Sequence, residues 1–157
     1  MIHENSMLEK AGSDDLETLN KILFESKSLW GYDREFMTEF MKSFRLTETD
    51  INNRFSWLLK IDHKNAGFVT LDFANPELVN FFIQPKYTGL GIGKFLWTEV
   101  IRLFSEKDIF EFKIWADPNA NGFYEKMGSR VLETKLSPMG KDRMTNIYQY
   151  HINSQTH

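Results

Sequence analysis

Three glycines stand at every second position of one short segment. They are Gly89, Gly91 and Gly93, in the sequence Y-T-G-L-G-I-G-K of residues 87–94. Glycine allows positive φ and close approach of the backbone to a ligand, so successive N–H groups can converge on one phosphate. An apolar run typical of a strand precedes the segment, and an apolar-periodic run typical of a helix, 95–104, follows it. Because a helix N-terminus favours anions, the segment predicts a phosphate or pyrophosphate site; a strand-to-helix turn without a ligand is the alternative.

Two familiar phosphate-binding motifs do not fit this loop. The P-loop pattern, anchored on Gly93 and Lys94, requires glycine where Thr88 stands and a hydroxyl residue where Phe95 stands. The dinucleotide fingerprint G-x-G-x-x-G requires its third glycine at Lys94 or at Leu96, according to the register. The loop therefore belongs to neither of these nucleotide-binding types.

Length and composition limit the class of protein. The chain has 157 residues, which predicts one domain spanning 1–157. A net charge of −3 and a pI near 5.8 argue against broad binding to nucleic acid or an anionic membrane. The absence of cysteine excludes disulfides and thiolate sites. Neither a signal peptide nor a membrane span is recognised, so we expect a soluble cytoplasmic protein.

The four histidines carry no metal-binding pattern. None has a partner at ligand spacing, and two lie near the ends of the sequence; they are His3, His63, His151 and His157. The sequence therefore predicts no metal site.

The first part of the chain predicts a strand and two helices. After a strand at 7–10, Asp14 is expected to cap a helix, with Glu17 at capping-box spacing, and this helix is expected to end near residues 30–31. A second helix is predicted from about Asp33. Its apolar residues recur at three- and four-residue intervals and are interpreted as core; they are Phe36, Met37, Phe40, Met41 and Phe44.

The remaining chain predicts strands with two further helices. An antiparallel meander is expected from three strands, with turns at 63–65 and 75–76 between them. The predicted elements are strands 55–62, 67–73 and 78–83, a helix at 95–104, a buried strand at 110–116, a short helix at 119–127, and strands at 130–136 and 145–152. The resulting order is β-α-α-β-β-β-α-β-α-β-β.

Two motifs in this order resemble the GNAT superfamily of acyl-CoA-dependent N-acyltransferases. Residues 88–93 match the family's pyrophosphate loop, Q/R-x-x-G-x-G/A, and the segment D-P-N-A-N-G-F-Y-E-K-M-G, 117–128, resembles its F-Y-E-K-x-G segment. The strong resemblance covers about 77–128. It implies an α/β (α+β) fold with a GNAT-type mixed, mostly antiparallel central sheet flanked by helices. Thr88 departs from the family at the Q/R position, where its hydroxyl, Lys86 or Lys94 would have to compensate.

The resemblance implies acetyl-CoA as the acyl-donor cosubstrate. Its pantetheine arm would pair with strand backbone in a gap between the fourth and fifth strands, and the loop N–H groups would hold the pyrophosphate. Lys94 or Lys86 would meet the 3′-phosphate unless each is only a solvated surface lysine. Asn119 would reach the cofactor or cap a helix. The expected cofactor-binding residues are Phe81, Phe82, Ile83, Thr88, Gly89, Leu90, Gly91, Ile92, Gly93, Lys94 and Asn119.

Acetyl transfer to a primary amine by direct attack in a ternary complex requires three groups. The resemblance implies Tyr124 as general acid toward the thioester sulfur. A strand N–H near Phe82 is expected to contact the oxyanion. For the base, Glu77 is the first choice, Asp72 the second, and a water chain the third.

The turn between the first two helices borders the acceptor site in this family. Trp30 and Tyr32 offer aromatic faces beside Asp33, a combination that suits an ammonium group; a purely structural Trp30 is the alternative. The expected acceptor is a small-molecule amine or an exposed peptide amino group, and a homodimer is possible. The alternative functions are a non-catalytic acyl-CoA-binding sensor or protein-interaction module, and a nucleotide-binding enzyme.

Overall fold

The structure is a computed structural model that describes residues 5–139 and 143–153. The strands are β1 (Ser6–Lys10), β2 (Phe55–Ile61), β3 (Lys64–Asp72), β4 (Glu77–Ile83), β5 (Glu111–Trp115), β6 (Arg130–Leu136) and β7 (Met144–His151). The helices are α1 (Leu16–Ser28), α2 (Arg34–Phe44), α3 (Glu48–Asn53), α4 (Ile92–Glu106) and α5 (Asn121–Lys126). No helix in the described part of the chain is both long enough and apolar enough to cross a bilayer.

The strands form one sheet in the order β1-β2-β3-β4-β5-β7-β6. Neighbouring strands are antiparallel except for the central pair, β4 and β5, which are parallel. This parallel pair requires a crossover, and α4 supplies it. The predicted meander of β2, β3 and β4 and the predicted mixed, mostly antiparallel sheet are both confirmed.

The two central strands stay paired over a very short distance. The paired residues are Glu77 with Lys113 and Leu78 with Ile114. Immediately after this point β4 carries a bulge at Val79, since Leu78 and Asn80 lie opposite consecutive residues of β3. Within the described chain, residues 79–83 therefore have no strand partner on the β5 side. This is the gap that the resemblance implied between the fourth and fifth strands.

Apolar side chains form one cluster on each face of the sheet. The first cluster contains α4, whose Leu96, Val100 and Phe104 recur every four residues and are completely buried. The second contains α1, with Leu19 and Leu23 buried. The pleat of the sheet supplies both clusters because consecutive residues of a strand point to opposite faces. The sheet thus fixes α4 on one side and α1 and α2 on the other.

The start of the first helix differs from the prediction. Asp14 was expected to be its cap, but α1 begins at Leu16, and no side chain caps it. A short 3-10 turn precedes it, in which the Asp15 carboxylate accepts a hydrogen bond from the Gly12 N–H at 2.8 Å. The predicted cap is therefore wrong, because the neighbouring aspartate closes the turn one residue before the helix.

Further elements also differ from the prediction. Helix α3 was not predicted; Thr47 caps it, and the Asp50 carboxylate bonds back to the Thr47 N–H. The predicted turn at 63–65 lies instead at Asp62 and His63, which have positive φ, and Lys64 already belongs to β3. The strand at 110–116 was expected to be buried, but β5 alternates between exposed and buried side chains.

Candidate active site

The glycine loop closes the gap on the side of α4. Gly89 and Gly91 have φ of 77° and 79°, the left-handed conformation that glycine adopts without strain. Gly91 is the N-cap of α4, which starts three residues before the predicted position at Phe95. The Phe95 N–H donates to the Gly91 carbonyl at 3.2 Å, so the N–H groups of residues 92–94 precede the first bond within the helix. The helix has no acidic residue in its first turn to compete with a bound anion.

The third glycine stands where a side chain would be crowded. A Cβ atom at Gly93 would lie 3.1 Å from Cε1 of Phe123, on α5. Thr88 uses its hydroxyl within the loop, donating to the Pro85 carbonyl at 2.8 Å. The Lys86 Nζ lies 5.2 Å from the centre of the Tyr87 ring. The loop therefore has the compact shape of an anion cradle, while the roles predicted for its side chains stay predictions.

The register of β4 decides which backbone groups face the gap. The N–H of Gln84, directly after β4, donates to the carbonyl of Ala66 in β3 at 2.8 Å. Because N–H directions alternate along a strand, the Phe82 N–H also turns to β3 and those of Phe81 and Ile83 turn to the gap. Of the N–H groups near Phe82 that were expected to contact the oxyanion, those of Phe81 and Ile83 are placed to do so. The oxyanion contact itself stays a prediction.

Tyr124 lies on α5 at the wall of a cavity of about 380 Å³. Its side chain is buried, and its ring centre lies 6.3 Å from that of Phe81 and 6.0 Å from that of Trp97. Burial, and to a lesser extent the charge of Asp117, raise the pKa of Tyr124 well above its usual value. The hydroxyl is therefore protonated at neutral pH and available as a hydrogen-bond donor.

Glu77, at the first residue of β4, lines the same cavity. It is half-buried and stands opposite Asp72 on one side and Lys113 on the other. Burial raises the pKa of Glu77; Asp72 raises it further, whereas Arg54 and Lys113 oppose the shift. Asp72 is more constrained, because one oxygen accepts the Asn75 N–H at 3.0 Å and the other lies 3.6 Å from Nε of Arg54. The geometry therefore favours Glu77 over Asp72 as a base.

The cavity, called here the acceptor cavity, lies between α2, β4 and the end of β5. Trp30, Phe36 and Phe40 form its aromatic wall, so part of the stripe interpreted as core also faces the cavity. Trp30 lines this cavity, and its role toward an acceptor stays a prediction. Asp33 does not line the cavity, because its carboxylate caps α2 by accepting the Phe36 N–H at 2.8 Å.

A polar cluster that the sequence did not predict borders this cavity. Asp117 is its centre: Nζ of Lys27 lies 2.5 Å from Oδ2, the Tyr32 hydroxyl donates to Oδ2 at 2.8 Å, and Nη2 of Arg143 lies 3.1 Å from it. The Asn119 side-chain amide donates to Oδ1 at 2.9 Å and to the Tyr32 hydroxyl at 3.0 Å. These five residues are called the Asp117 cluster. The alternative in which Asn119 caps a helix is wrong, because no side chain caps α5.

Burial and charge act in opposite directions within the Asp117 cluster. Burial lowers the pKa of Lys27, and the nearby Asp117 only partly offsets this effect. Burial alone would raise the pKa of Asp117, but the charge and hydrogen bond of Lys27 hold that pKa below its ordinary value. The 2.5 Å contact between Nζ of Lys27 and Oδ2 of Asp117 is an ion pair that favours the charged form of each group. A lysine on the apolar face of α1, four residues after Leu23, was the sequence signal for this cluster.

The described residues include no group of three or more His, Asp or Glu side chains that could hold a metal ion. The geometry of the described residues does fit coenzyme A. The extended pantetheine arm could pair with the free edge of β4, and the diphosphate could then lie at the glycine loop. The donor set is backbone N–H, which suits phosphate oxygens. The absence of a metal requirement stays a prediction.

Comparisons with known proteins agree with this geometry. The family model described as "Acetyltransferase (GNAT) domain" matches residues 14–140. The spermidine N(1)-acetyltransferase of Thermoplasma acidophilum is 27% identical over 81% of this chain and 89% of its own. The PaiA N-acetyltransferase of Thermoplasma acidophilum, solved in complex with coenzyme A, aligns with a TM-score of 0.76 and 23% identity over 93% of this chain and 98% of its own.

A eukaryotic structure shows the same fold. Naa50 of Arabidopsis thaliana, in complex with the bisubstrate analogue CoA-Ac-MVNAL, aligns with a TM-score of 0.66 and 15% identity over 94% of this chain and 99% of its own. The family match covers most of the sequence and includes the glycine loop, β4 and Tyr124. The chain therefore belongs to the GNAT family of acetyltransferases and is an acetyl-CoA-dependent N-acetyltransferase.

Proposed function

We propose that the acetyl group passes directly to a primary amine bound in the acceptor cavity, within a ternary complex of enzyme, donor and acceptor. The observation that carries this proposal is that Tyr124 and Glu77, the predicted acid and base, line one cavity beside the unpaired stretch of β4. Donor and acceptor would then meet at residues 79–83, and no covalent enzyme intermediate is required.

Acetyl-CoA supplies an acetyl group activated as a thioester. The N–H groups of residues 89–94 would bind its pyrophosphate, supported by the N-terminal dipole of α4. The backbone of Phe81, Phe82 and Ile83 would run beside the pantetheine arm. The proposed oxyanion donors are the N–H groups of Phe81 and Ile83, which fall on the gap side of the register.

Tyr124 would act on the thiolate that leaves. Because the pKa of Tyr124 is raised, complete transfer of its proton to sulfur is unfavourable. Burial instead favours a strong hydrogen bond that the hydroxyl donates to the sulfur. Such a bond stabilises negative charge as it develops in the transition state. The proton that completes the thiol would then come from solvent.

Glu77 would remove a proton from the attacking amine. A free alkylamine, with a pKa of about 10, is mostly protonated at neutral pH and must lose a proton before it attacks. Burial raises the pKa of Glu77 and therefore makes its carboxylate a stronger base. Transfer through one ordered water remains compatible with the half-buried position of Glu77.

The acceptor would be a small-molecule amine or an exposed peptide amino group. The curated relative is named for spermidine, which supports a small amine. The Trp30, Phe36 and Phe40 rings at the wall of the acceptor cavity suit the apolar part of such a molecule.

Two measurements on the purified protein test the proposal. Acetyl-CoA and CoA should raise the melting temperature more than ATP or NAD, because a ligand that binds only the folded state stabilises it according to its affinity. Acetyl-CoA should also release thiol when primary amines are added. Stabilisation by CoA without thiol release across amines of different size and charge would favour the acyl-CoA sensor, and stabilisation by ATP alone would contradict the donor assignment.

We further propose a cytoplasmic protein that forms homodimers and binds neither nucleic acid nor membranes. The net charge of −3 supports the absence of nucleic-acid binding. The edge strand β6 exposes Val131, Leu132 and Leu136, and this surface supports pairing with a second copy. Sedimentation of the purified protein would identify a dimer, and a monomer at micromolar concentration would contradict this part of the proposal.

A further inference from the structure

We infer that the acceptor is a primary amine that also carries a carboxylate, as an amino acid does, and that Arg143 binds this carboxylate. The inference rests on the proposed function, since it names the class of amine that the acceptor cavity would take. It starts from the balance of charge at one end of that cavity.

The Asp117 cluster contains more positive than negative charge. Lys27 and Arg143 both contact the single carboxylate of Asp117, while Tyr32 and Asn119 contribute neutral groups. The side chains of Lys27 and Asp117 are 8% and 5% exposed, and that of Arg143 is 22% exposed. Among the described residues, the cluster therefore holds one positive charge in excess, close to the cavity surface.

The surroundings of the excess charge are aromatic. The Lys27 Nζ lies 4.4 Å from the centre of the Phe40 ring, and Cζ of Arg143 lies 4.7 Å and 5.1 Å from those of Tyr32 and Phe36. Aromatic rings attract cations, but this attraction compensates only partly for the hydration that a cation loses on burial. A buried cation without a counter-charge is unfavourable, and a bound anion would relieve it.

Arg143 lines the cavity with part of its side chain exposed, so an anion in the cavity can contact it. Its Nη2 contacts Tyr32 and Asp117, whereas its buried Nε has no hydrogen-bond partner among the described residues. Guanidinium groups bind carboxylates through two parallel N–H groups, and an unmatched buried N–H is costly. A carboxylate that contacts the exposed part of the Arg143 side chain would offset the excess charge.

The cluster borders the cavity that also holds the predicted acid, Tyr124. Asp117 lies in the segment between β5 and α5, which also carries Tyr124, and all three of Asp117, Arg143 and Tyr124 line the acceptor cavity. An amine bound in this cavity would therefore share it with both Arg143 and Glu77. A polyamine has only cationic groups, so its second ammonium would face the excess positive charge.

The test compares acceptors that differ only in the carboxylate. Leucine, leucinamide and 3-methylbutylamine form one such set, and phenylalanine, phenylalaninamide and phenethylamine form another; spermidine is added to both. Thiol release with acetyl-CoA gives kcat/KM for each. We expect the two acids to exceed their amides and decarboxylated amines by about 10- to 100-fold, the range for a hydrogen-bonded charge. The amide has the less basic amine, so its intrinsic reactivity at neutral pH would oppose this order.

Variants of Arg143 test the binding group. Arg143→Gln should remove the preference for acids by raising the KM of the acids. Arg143→Lys should keep part of this preference, because lysine supplies the positive charge but not the planar guanidinium that binds a carboxylate through two N–H groups. The control is Arg102→Gln, which removes the same charge from an exposed position on α4. If Arg143→Gln does not fold, the comparison of acids with amides on the unaltered protein decides alone.

The outcomes separate this inference from the proposed function. Acetylation of amides, decarboxylated amines or spermidine at least as efficiently as of acids would overturn the carboxylate inference and leave the acetyl transfer intact. An acid preference that survives in folded Arg143→Gln would overturn the assignment of Arg143. Binding of CoA without acetylation of any amine would overturn the proposed function, and with it this inference.

Discussion

The hydroxyl group of Tyr124 can be removed without disturbing its packing. Tyr124→Phe should keep the ring contacts with Phe81 and Trp97, lower kcat by about 10²- to 10³-fold through loss of the donor to sulfur, and leave CoA affinity nearly unchanged. Steady-state kinetics and the melting shift with CoA measure the two effects. Tyr148→Phe is the matched control, because Tyr148 is also buried but donates to Glu125 at 2.6 Å. Equal loss of kcat in both variants would contradict the assignment.

The carboxylate of Glu77 should set the acidic limit of activity. Because burial raises its pKa in the folded protein, kcat/KM should fall as pH drops through that raised pKa, and Glu77→Gln should lower kcat/KM and remove this acidic limb. The pH dependence of kcat/KM measures both. Asp72→Asn should keep the limb, and a limb lost with Asp72 instead would show that the second-choice base is the correct one.

The same pKa shift also predicts the effect of Glu77→Gln on stability. A raised folded pKa means that the fold disfavours the charged form, so at pH above that pKa the carboxylate lowers the free energy of unfolding. The neutral glutamine variant should therefore be at least as stable as the unaltered protein at neutral pH. A loss of activity in this variant then cannot be explained by unfolding.

At the scale of elements, the start of α4 and its glycine loop act as one unit. Gly91→Asp should lower the affinity for CoA by about tenfold or more, because a carboxylate would stand among the N–H groups that face the pyrophosphate. Gly91→Asn is the matched control, since it adds the same strain at φ 79° without the charge. The difference between the two variants in a CoA titration measures the charge effect, and equal affinities would refute the phosphate cradle.

The elements themselves were largely predictable, and their ends were not. The apolar period of α1, α2 and α4 and the alternation in β2 to β4 indicate the correct types, because burial of one face dominates their energetics. The ends depend on single hydrogen bonds. Asp15 rather than Asp14 closes the first turn, and α4 gains a turn because Gly91 can serve as an N-cap with positive φ. Helix α3 has only six residues and no periodic apolar face, so its Thr47 capping box was its only sequence signal.

At the scale of the whole molecule, the Asp117 cluster joins α1 to the segment after β5. Asp117→Asn should reduce the free energy of unfolding by about 3 kcal/mol, because two buried cations would lose their shared partner. The pKa of Asp117 is lowered on folding, so its stabilising effect is present above the ordinary aspartate pKa and is lost as pH falls through the lowered value. The difference between variant and unaltered protein should therefore shrink in acid.

Chemical denaturation at neutral and acidic pH measures this difference. The control is Glu106→Gln, which breaks an exposed 2.7 Å pair with Arg102 and should change stability by less than about 1 kcal/mol. Equal effects of the two substitutions would indicate that the Asp117 cluster is only a surface network.

The candidate site was predictable only in the parts that lie close together in sequence. The glycine loop and the segment with Tyr124 carry local patterns that resemble those of the family. Lys27, Asp117 and Arg143 come together only in the fold, since Lys27 lies 90 residues from Asp117 along the chain. No spacing rule connects such residues. A lysine on the buried face of α1 indicates that a carboxylate lies close to it in the fold, but the sequence does not show which carboxylate this is.

The short pairing of β4 with β5 has a consequence for how the molecule unfolds. Among the described residues, strand pairing joins the part of the sheet made of β1 to β4 with the part made of β5, β7 and β6 at two residue pairs. An acyl donor lying in the gap would add backbone hydrogen bonds where the strands provide none, and would therefore act as a removable strand. Because the apolar cluster on the α4 face already joins both parts, the protein should unfold as one unit with or without the donor, and the donor should stabilise that unit as a structural component of the sheet.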